Sequence, residues 1–201
     1  MSDWEPIEGE TPVDLSYLKD KSIRTRAELN RREAHNISKA VLKYFAAKPY
    51  RTYARFDFSW GLKLHAEMFG DVWEWAGEIR NFNTNIGVPW TQISQRLFDL
   101  FGDLAFWEEQ QTMPLLEQAV HLHHRAVQIH PFPDGNGRWS RLLANIWLKL
   151  HDHPITAWPT ETAGTQSLIR AEYLLAVKQA DDGKISDLMQ LHKRYTKAEE
   201  G

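Results

Sequence analysis

The stretch His121–Leu150, "HLHHRAVQIHPFPDGNGRWSRLLANIWLKL", decides how the chain is read. Two helical patterns flank a short loop. On the first, Leu116, Val120, His123, Val127 and His130 recur at alternating steps of four and three, so they share one stripe. His130 ends that stripe on its buried side. On the second, Arg138, Arg141 and Asn145 share one face, beside an apolar stripe of Trp139, Leu142, Leu143, Ile146 and Leu150. Between the helices stands "DGNG", Asp134 to Gly137.

These residue types suit phosphate chemistry. Gly135 and Gly137 lack a Cβ, so the backbone there can take unusual angles and approach a ligand closely. With Asn136 they lead into a helix whose first amides have no intrahelical partner and carry the positive end of its dipole. Such a turn cradles anions. Arg138 and Arg141 add planar donor forks matched to phosphate. Asp134 is a candidate ligand for a magnesium ion that bridges phosphates. His130 titrates near neutrality and stands beside the cradle, as a base for an attacking hydroxyl must. The pattern fits a site where a hydroxyl attacks a nucleotide phosphate. A plainer reading remains open: "DGNG" as a turn with Asp134 or Asn136 capping the next helix. A calcium loop fails, because Trp139 stands where glycine is required and Asn145 where glutamate is. A zinc site on "HLHH" lacks a third ligand at a recognised spacing, although His121 and His124 share a face.

The rest of the chain frames this motif. Its 201 residues suggest one domain, and 42% hydrophobic with 25% charged residues is ordinary globular composition. Nine tryptophans predict an aromatic-rich core. The absence of cysteine excludes disulfides and Cys-ligated metal sites and fits a reducing, cytoplasmic compartment. No apolar run is long enough to span a membrane, and the acidic start "MSDWEPIEGE" does not read as a secretory signal. A net charge of −3 offers no footprint for nucleic acid.

Residues 1–24 read as an acidic N-terminal arm, 25–195 as the folded domain and 196–201 as a C-terminal tail. "TRAE" reads as a capping box, Thr25 to Glu28, opening a helix that runs to about Ala47. Helices are predicted after Asp57, in the short "DVWEWAGEI", after Thr91, from Pro114, through "RWSRLLANIWLKL", over "TQSLIRAEYLLAVKQA" and from about Ile185. "IRNFNTNIGVPW" lacks helical periodicity and suits a short β-hairpin or extended flap. The fold class is all-α with that one β excursion.

"HPFPDGNGRWSR" resembles the signature of the Fic family, His-Pro-Phe-x-[Asp/Glu]-Gly-Asn-Gly-Arg-x-x-Arg, at every specified position. "WAGEIR" and "AEYLLAVKQADDGKISDLM" are similar to flanking Fic segments. "MFGDVWEWAGEIR", "NIGVPW" and "HHRAVQIHPF" resemble the Fic (Fic/Doc) subgroup labelled mobile mystery protein B. The resemblance implies a Fic-fold helical bundle with a β-hairpin flap. It also implies transfer of AMP from ATP, with Mg2+, to a Ser, Thr or Tyr hydroxyl of a target protein.

By position it makes His130 the base, Asp134 the metal ligand, Gly135, Asn136 and Gly137 the anion cradle, and Arg138 and Arg141 the phosphate holders. Phe132 would anchor the loop in the core, and the flap, about residues 80–90, would align a target segment by strand addition. Gly137, which phosphorylating Doc proteins replace with lysine, favours AMP transfer, although some relatives use another donor such as a CDP-linked alcohol. A non-catalytic nucleotide-binding module is the other alternative. Many family members are inhibited by a glutamate paired with the second motif arginine, here Arg141. The candidates are Glu200 in "TKAEEG", Glu28, or a separate inhibitor of the toxin–antitoxin kind. No role for nucleic acid or membrane is implied.

Overall fold

The computed structural model describes residues 14–46, 48–49, 51–162 and 167–196. Among these described residues seven α-helices carry the fold: α1 Arg26–Phe45, α2 Phe58–Phe69, α3 Ile93–Gln110, α4 Leu115–Ile129, α5 Asn136–Leu150, α6 Leu168–Asp181 and α7 Ser186–Tyr195. Helix α4 packs on α5, which also meets α1 and α2; α6 and α7 pack on the other side of α4.

Local chemistry sets the helix starts. The Thr25 hydroxyl accepts from the Glu28 amide at 3.2 Å, and the Glu28 carboxylate accepts from the Arg24 amide at 3.1 Å. Asp57 and Ser167 cap α2 and α6 in the same way. Helix α1 buries Leu29, Glu33, Asn36, Ala40 and Tyr44, one stripe that includes a carboxylate and an amide. Asn36 clamps the far end of α2, donating to the Glu67 carbonyl at 3.0 Å and accepting from the Asp71 amide at 2.8 Å.

The main core joins α1–α5 around Trp60, Trp73, Phe132, Trp139 and Trp147. Each indole of this size contributes several kcal/mol, about 3–5 if truncated to alanine. A smaller core lies among α4, α6 and α7, around Val120, Tyr173, Ala176 and Leu188.

Two expectations about local structure change. The segment "DVWEWAGEI" forms successive turns and no helix. Gly77 there takes φ +87°, outside helical space, and Trp73 bridges backbone to backbone with Leu18. That bridge also ties down the chain before α1, where Leu18 and Ile23 are buried. The predicted β-hairpin at residues 80–90 is a loop without a ladder. The Phe82 and Val88 carbonyls, which cross-strand amides would occupy in a hairpin, are both taken by the Arg80 guanidinium, at 2.7 and 2.6 Å.

The interior contains histidines as well as hydrocarbon. His123 and His192 are fully buried and bonded to each other at 2.9 Å, Nδ1 to Nε2. His65 is fully buried on α2. Burial pushes His65 and His192 each down to about 3, and His123 well below its ordinary value. Unfolded, each ring takes a proton near pH 6.5; folded, it stays neutral until far lower. Between those values the unfolded chain binds more protons, so stability is full above about pH 6.5 and falls as pH falls. Three such rings should remove on the order of 3–4 kcal/mol between pH 6 and 5. Denaturant midpoints measured across that interval should show this slope; a flat profile would mean that the rings are not held neutral.

Candidate active site

The motif loop, residues 130–135, joins α4 to α5 and is closed from within. The Asn136 side chain accepts from the Phe132 amide and donates to the Phe132 carbonyl, both at 2.9 Å. Asn136 therefore does not cap α5, and Asp134 stops one residue short: the cap residue is Gly135 at φ +79°, which has no side chain to bond the helix start, and the Asp134 carboxyl accepts from the Gly135 amide. The turn-and-cap reading of "DGNG" fails on this point. What remains is a fifteen-residue helix whose first amides have no side-chain partner among the described residues, at the positive end of its dipole.

Histidine 65 supports the loop from below. Its Nδ1 accepts from the Gly77 amide at 3.0 Å, so Nε2 carries the hydrogen and donates to the Asp134 carbonyl at 3.1 Å. Its ring stacks on Phe132, centroids 3.6 Å apart and planes 10° from parallel. A Cβ on Gly135 would lie 2.6 Å from the Phe69 ring and 3.2 Å from His65 Nε2. Positive φ and lack of space both demand glycine there.

His130 caps α4 in the left-handed region, φ 52° and ψ 60°. Arg80 fixes it: the guanidinium Nε donates to the His130 carbonyl at 2.7 Å, and the Arg80 amide donates to the Pro131 carbonyl at 2.9 Å. Gly87, φ +100°, brings the flap backbone so close that a Cβ would stand 2.6 Å from His130 Cβ. His130 Nδ1 is buried with no hydrogen-bond partner among the described residues. Burial first, then the Arg80 charge, pushes the imidazole down to about 4; the Val127 carbonyl opposes this. At neutral pH the ring is an uncharged base.

The two arginines have different surroundings. Arg138 donates to Glu33 of α1 at 2.6 Å and lies 3.4 Å from Asp134 Oδ2, over the Phe69 ring. Glu33, 4% exposed, also accepts from the Trp73 indole at 2.7 Å. Arg141 is 8% exposed, and among the described residues no carboxylate pairs with it. It lies 5.2 Å from the centre of the Tyr173 ring. Burial pushes Arg141 below its ordinary value and lifts Asp134 above its own.

Residues 55–148 match the Fic/DOC family. The chain carries a domain of the Fic/DOC family. It is 30% identical over 143 residues to protein adenylyltransferase fic-1 of Caenorhabditis elegans, covering 68% of this chain and 26% of that protein. It is 36% identical over 128 residues to protein adenylyltransferase Fic of Drosophila melanogaster, covering 62% of this chain and 25% of that protein. The chain thus spans about a quarter of the length of these curated relatives. In three dimensions it is similar to Bartonella tribocorum BepC, solved with bound AMPPNP: TM-score 0.68, 18% identity, 96% of each chain covered.

Within this Fic domain, the motif residues His130, Asp134, Gly135, Asn136, Gly137, Arg138 and Arg141 gather at the start of α5. Glu28 closes the α1 cap and makes no ion pair with Arg141; Glu200 lies outside the described residues. Asn145 brackets the Thr156 backbone at 2.8 and 3.0 Å. His124 bonds Asp181 at 2.9 Å and His121 packs near Trp107, so the zinc reading finds no shared centre. No three His, Asp or Glu side chains converge as a metal site among the described residues.

Sequence reasoning missed Glu33, His65 and Arg80. A signal existed for the first two: each is an ionisable residue inside a helical stripe that is mostly apolar. Replacing Gly135 with alanine should cost about 2–4 kcal/mol, combining left-handed strain and overpacking against Phe69. Chemical denaturation of Gly135→Ala against wild type measures it, and an unchanged midpoint would show that the loop relaxes freely.

Proposed function

We propose that this Fic domain is a protein adenylyltransferase that moves AMP from ATP to a Ser, Thr or Tyr hydroxyl of a target protein. One observation carries the reading: Arg141, a buried guanidinium with no carboxylate partner among the described residues, beside the uncapped start of α5. An uncompensated buried charge is costly, so this place favours an anion. The adenylyltransferase names of the relatives agree with that anion being the ATP triphosphate.

In this mechanism the α5 amides, Arg141 and Arg138 hold the phosphates, with Gly135, Asn136 and Gly137 shaping the backbone. The target oxygen attacks the α-phosphorus in line, the bond to the β,γ-pyrophosphate breaks, and His130 takes the hydroxyl proton. His130 suits the role because burial keeps its ring neutral. The Asp134 carboxyl, lifted by burial and paired only loosely at 3.4 Å, fits the single-carboxylate share of an Mg2+ site completed by phosphate oxygens. When bound there, Mg2+ would neutralise phosphate charge. The flap, whose Gly87 lies against His130, exposes Phe82, Ile86 and Trp90, apolar side chains suited to a target segment. An acid from outside the described residues, Glu200 or an inhibitor protein, would compete with phosphate for Arg141.

The test is incubation with Mg2+ and ATP labelled at the α- or the γ-phosphate, in lysate, followed by mass spectrometry of the labelled band. Label retained from the α position alone is expected. His130→Ala should abolish it, and Arg141→Ala should lower the rate on the order of 10²–10³, as loss of a preorganised anion donor does. Retention from γ alone would mean a phosphoryl transferase, and retention from neither, with ATP still bound, a binding module.

A further inference from the structure

Behind Arg141 runs a continuous buried chain. The Tyr173 hydroxyl meets His123 Nε2 at 3.0 Å. His123 Nδ1 meets His192 Nε2 at 2.9 Å. His192 Nδ1 meets the Thr156 hydroxyl at 2.9 Å. Tyr173, His123, His192 and Thr156 are each at most 4% exposed. The chain draws on α4, α6, α7 and the segment after α5, and it ends under the guanidinium.

The direction of its protons follows from one fact. Arg141 has only donors to offer, so a phenolic O–H aimed at it would set hydrogen against hydrogen. The Tyr173 proton therefore goes to His123 Nε2. His123, accepting there, carries its own hydrogen on Nδ1 and donates to His192 Nε2. His192 in turn carries its hydrogen on Nδ1 and donates to Thr156. Both rings are neutral, as this pattern requires, because burial disfavours their charged forms. The outcome is a phenol that shows Arg141 only its lone pairs and its ring face. Burial also lifts the Tyr173 hydroxyl above its ordinary value, so the phenol stays neutral and leaves the Arg141 charge uncancelled.

We propose that Tyr173 is the positioning residue of Arg141, and that the His123–His192–Thr156 chain fixes its hydroxyl so that the oxygen lone pairs face the guanidinium. Arg138 is held by a carboxylate, which neutralises it; Arg141 lies over the Tyr173 ring and donates to its neutral hydroxyl, which orients the guanidinium and keeps its charge for the ligand. This rests on the reading of Arg141 as a contact to the β- and γ-phosphates of ATP.

Two measurements test it. The first is the tautomeric state of His123 and His192 in the full chain near pH 7.5, read from long-range 15N–1H NMR correlations. Hydrogen on Nδ1 of both rings is expected; Nε2–H on either ring overturns the proposal. The second is calorimetric binding of ATP and of AMP to wild type and Tyr173→Phe, a variant that keeps the ring and removes only the oxygen. Loss of one hydrogen bond to a charged group predicts ATP binding weakened about ten-fold, with AMP binding within about two-fold of wild type. Equal weakening of both nucleotides would reveal general damage, and unchanged ATP binding would show that Arg141 needs no such support; either result overturns the proposal. Should wild type bind neither nucleotide, the nucleotide reading of the site falls, and the ring tautomers alone decide how the chain is oriented.

Discussion

One buried guanidinium holds the site in shape. Arg80, 2% exposed, donates to the carbonyls of Phe82, Val88 and His130, at 2.7, 2.6 and 2.7 Å. These bonds fold the flap back on itself and attach it to the motif loop. They also stabilise His130 in a left-handed conformation that a non-glycine residue adopts at a cost of roughly 1–2 kcal/mol. Neutral carbonyls satisfy the donors while leaving the charge in place, and that charge is one reason the His130 ring resists protonation. Structural support and part of what keeps the base unprotonated thus come from the same side chain.

The motif arginines divide along similar lines. Glu33 on α1 reaches across to Arg138 and the Trp73 indole, joining the first helix to the start of α5 through a partly buried ion pair. Such a pair adds little net stability, but removing one partner strands the other. It fixes where α1 sits on the motif. Arg141, three residues on, turns toward α6 and meets a phenol. Among the described residues the start of α5 therefore has one cation neutralised by a carboxylate and one without such a partner, an asymmetry suited to holding a charged ligand at one end.

Polar groups inside this protein are mostly neutral ones in defined proton states. His65 is fixed as the Nε2–H tautomer by the Gly77 amide and the Asp134 carbonyl. His123 and His192 sit in the relay under Arg141. Buried polar groups are stabilising only when every donor finds an acceptor. The neutral imidazole meets that condition cheaply because it offers one of each.

Much of the fold was legible in the chain itself. The capping box at Thr25, the Asp57 cap, the stripes of α4 and α5 and the glycine positions of the loop depend on residues within a few places of one another. So did the gathering of His130, Asp134, Arg138 and Arg141, because two helices joined by a short loop leave these side chains few places to go. The turns at 71–79 and the flap were misjudged, since their backbone partners are Leu18 and the Arg80 side chain, which no local pattern announces. The different surroundings of Arg138 and Arg141, and the supports Glu33, His65 and Tyr173, come from α1, α2 and α6, dozens of residues away. Sequence determined which groups carry the chemistry; tertiary packing decided their charge and proton states, because burial and pairing with distant segments set those quantities.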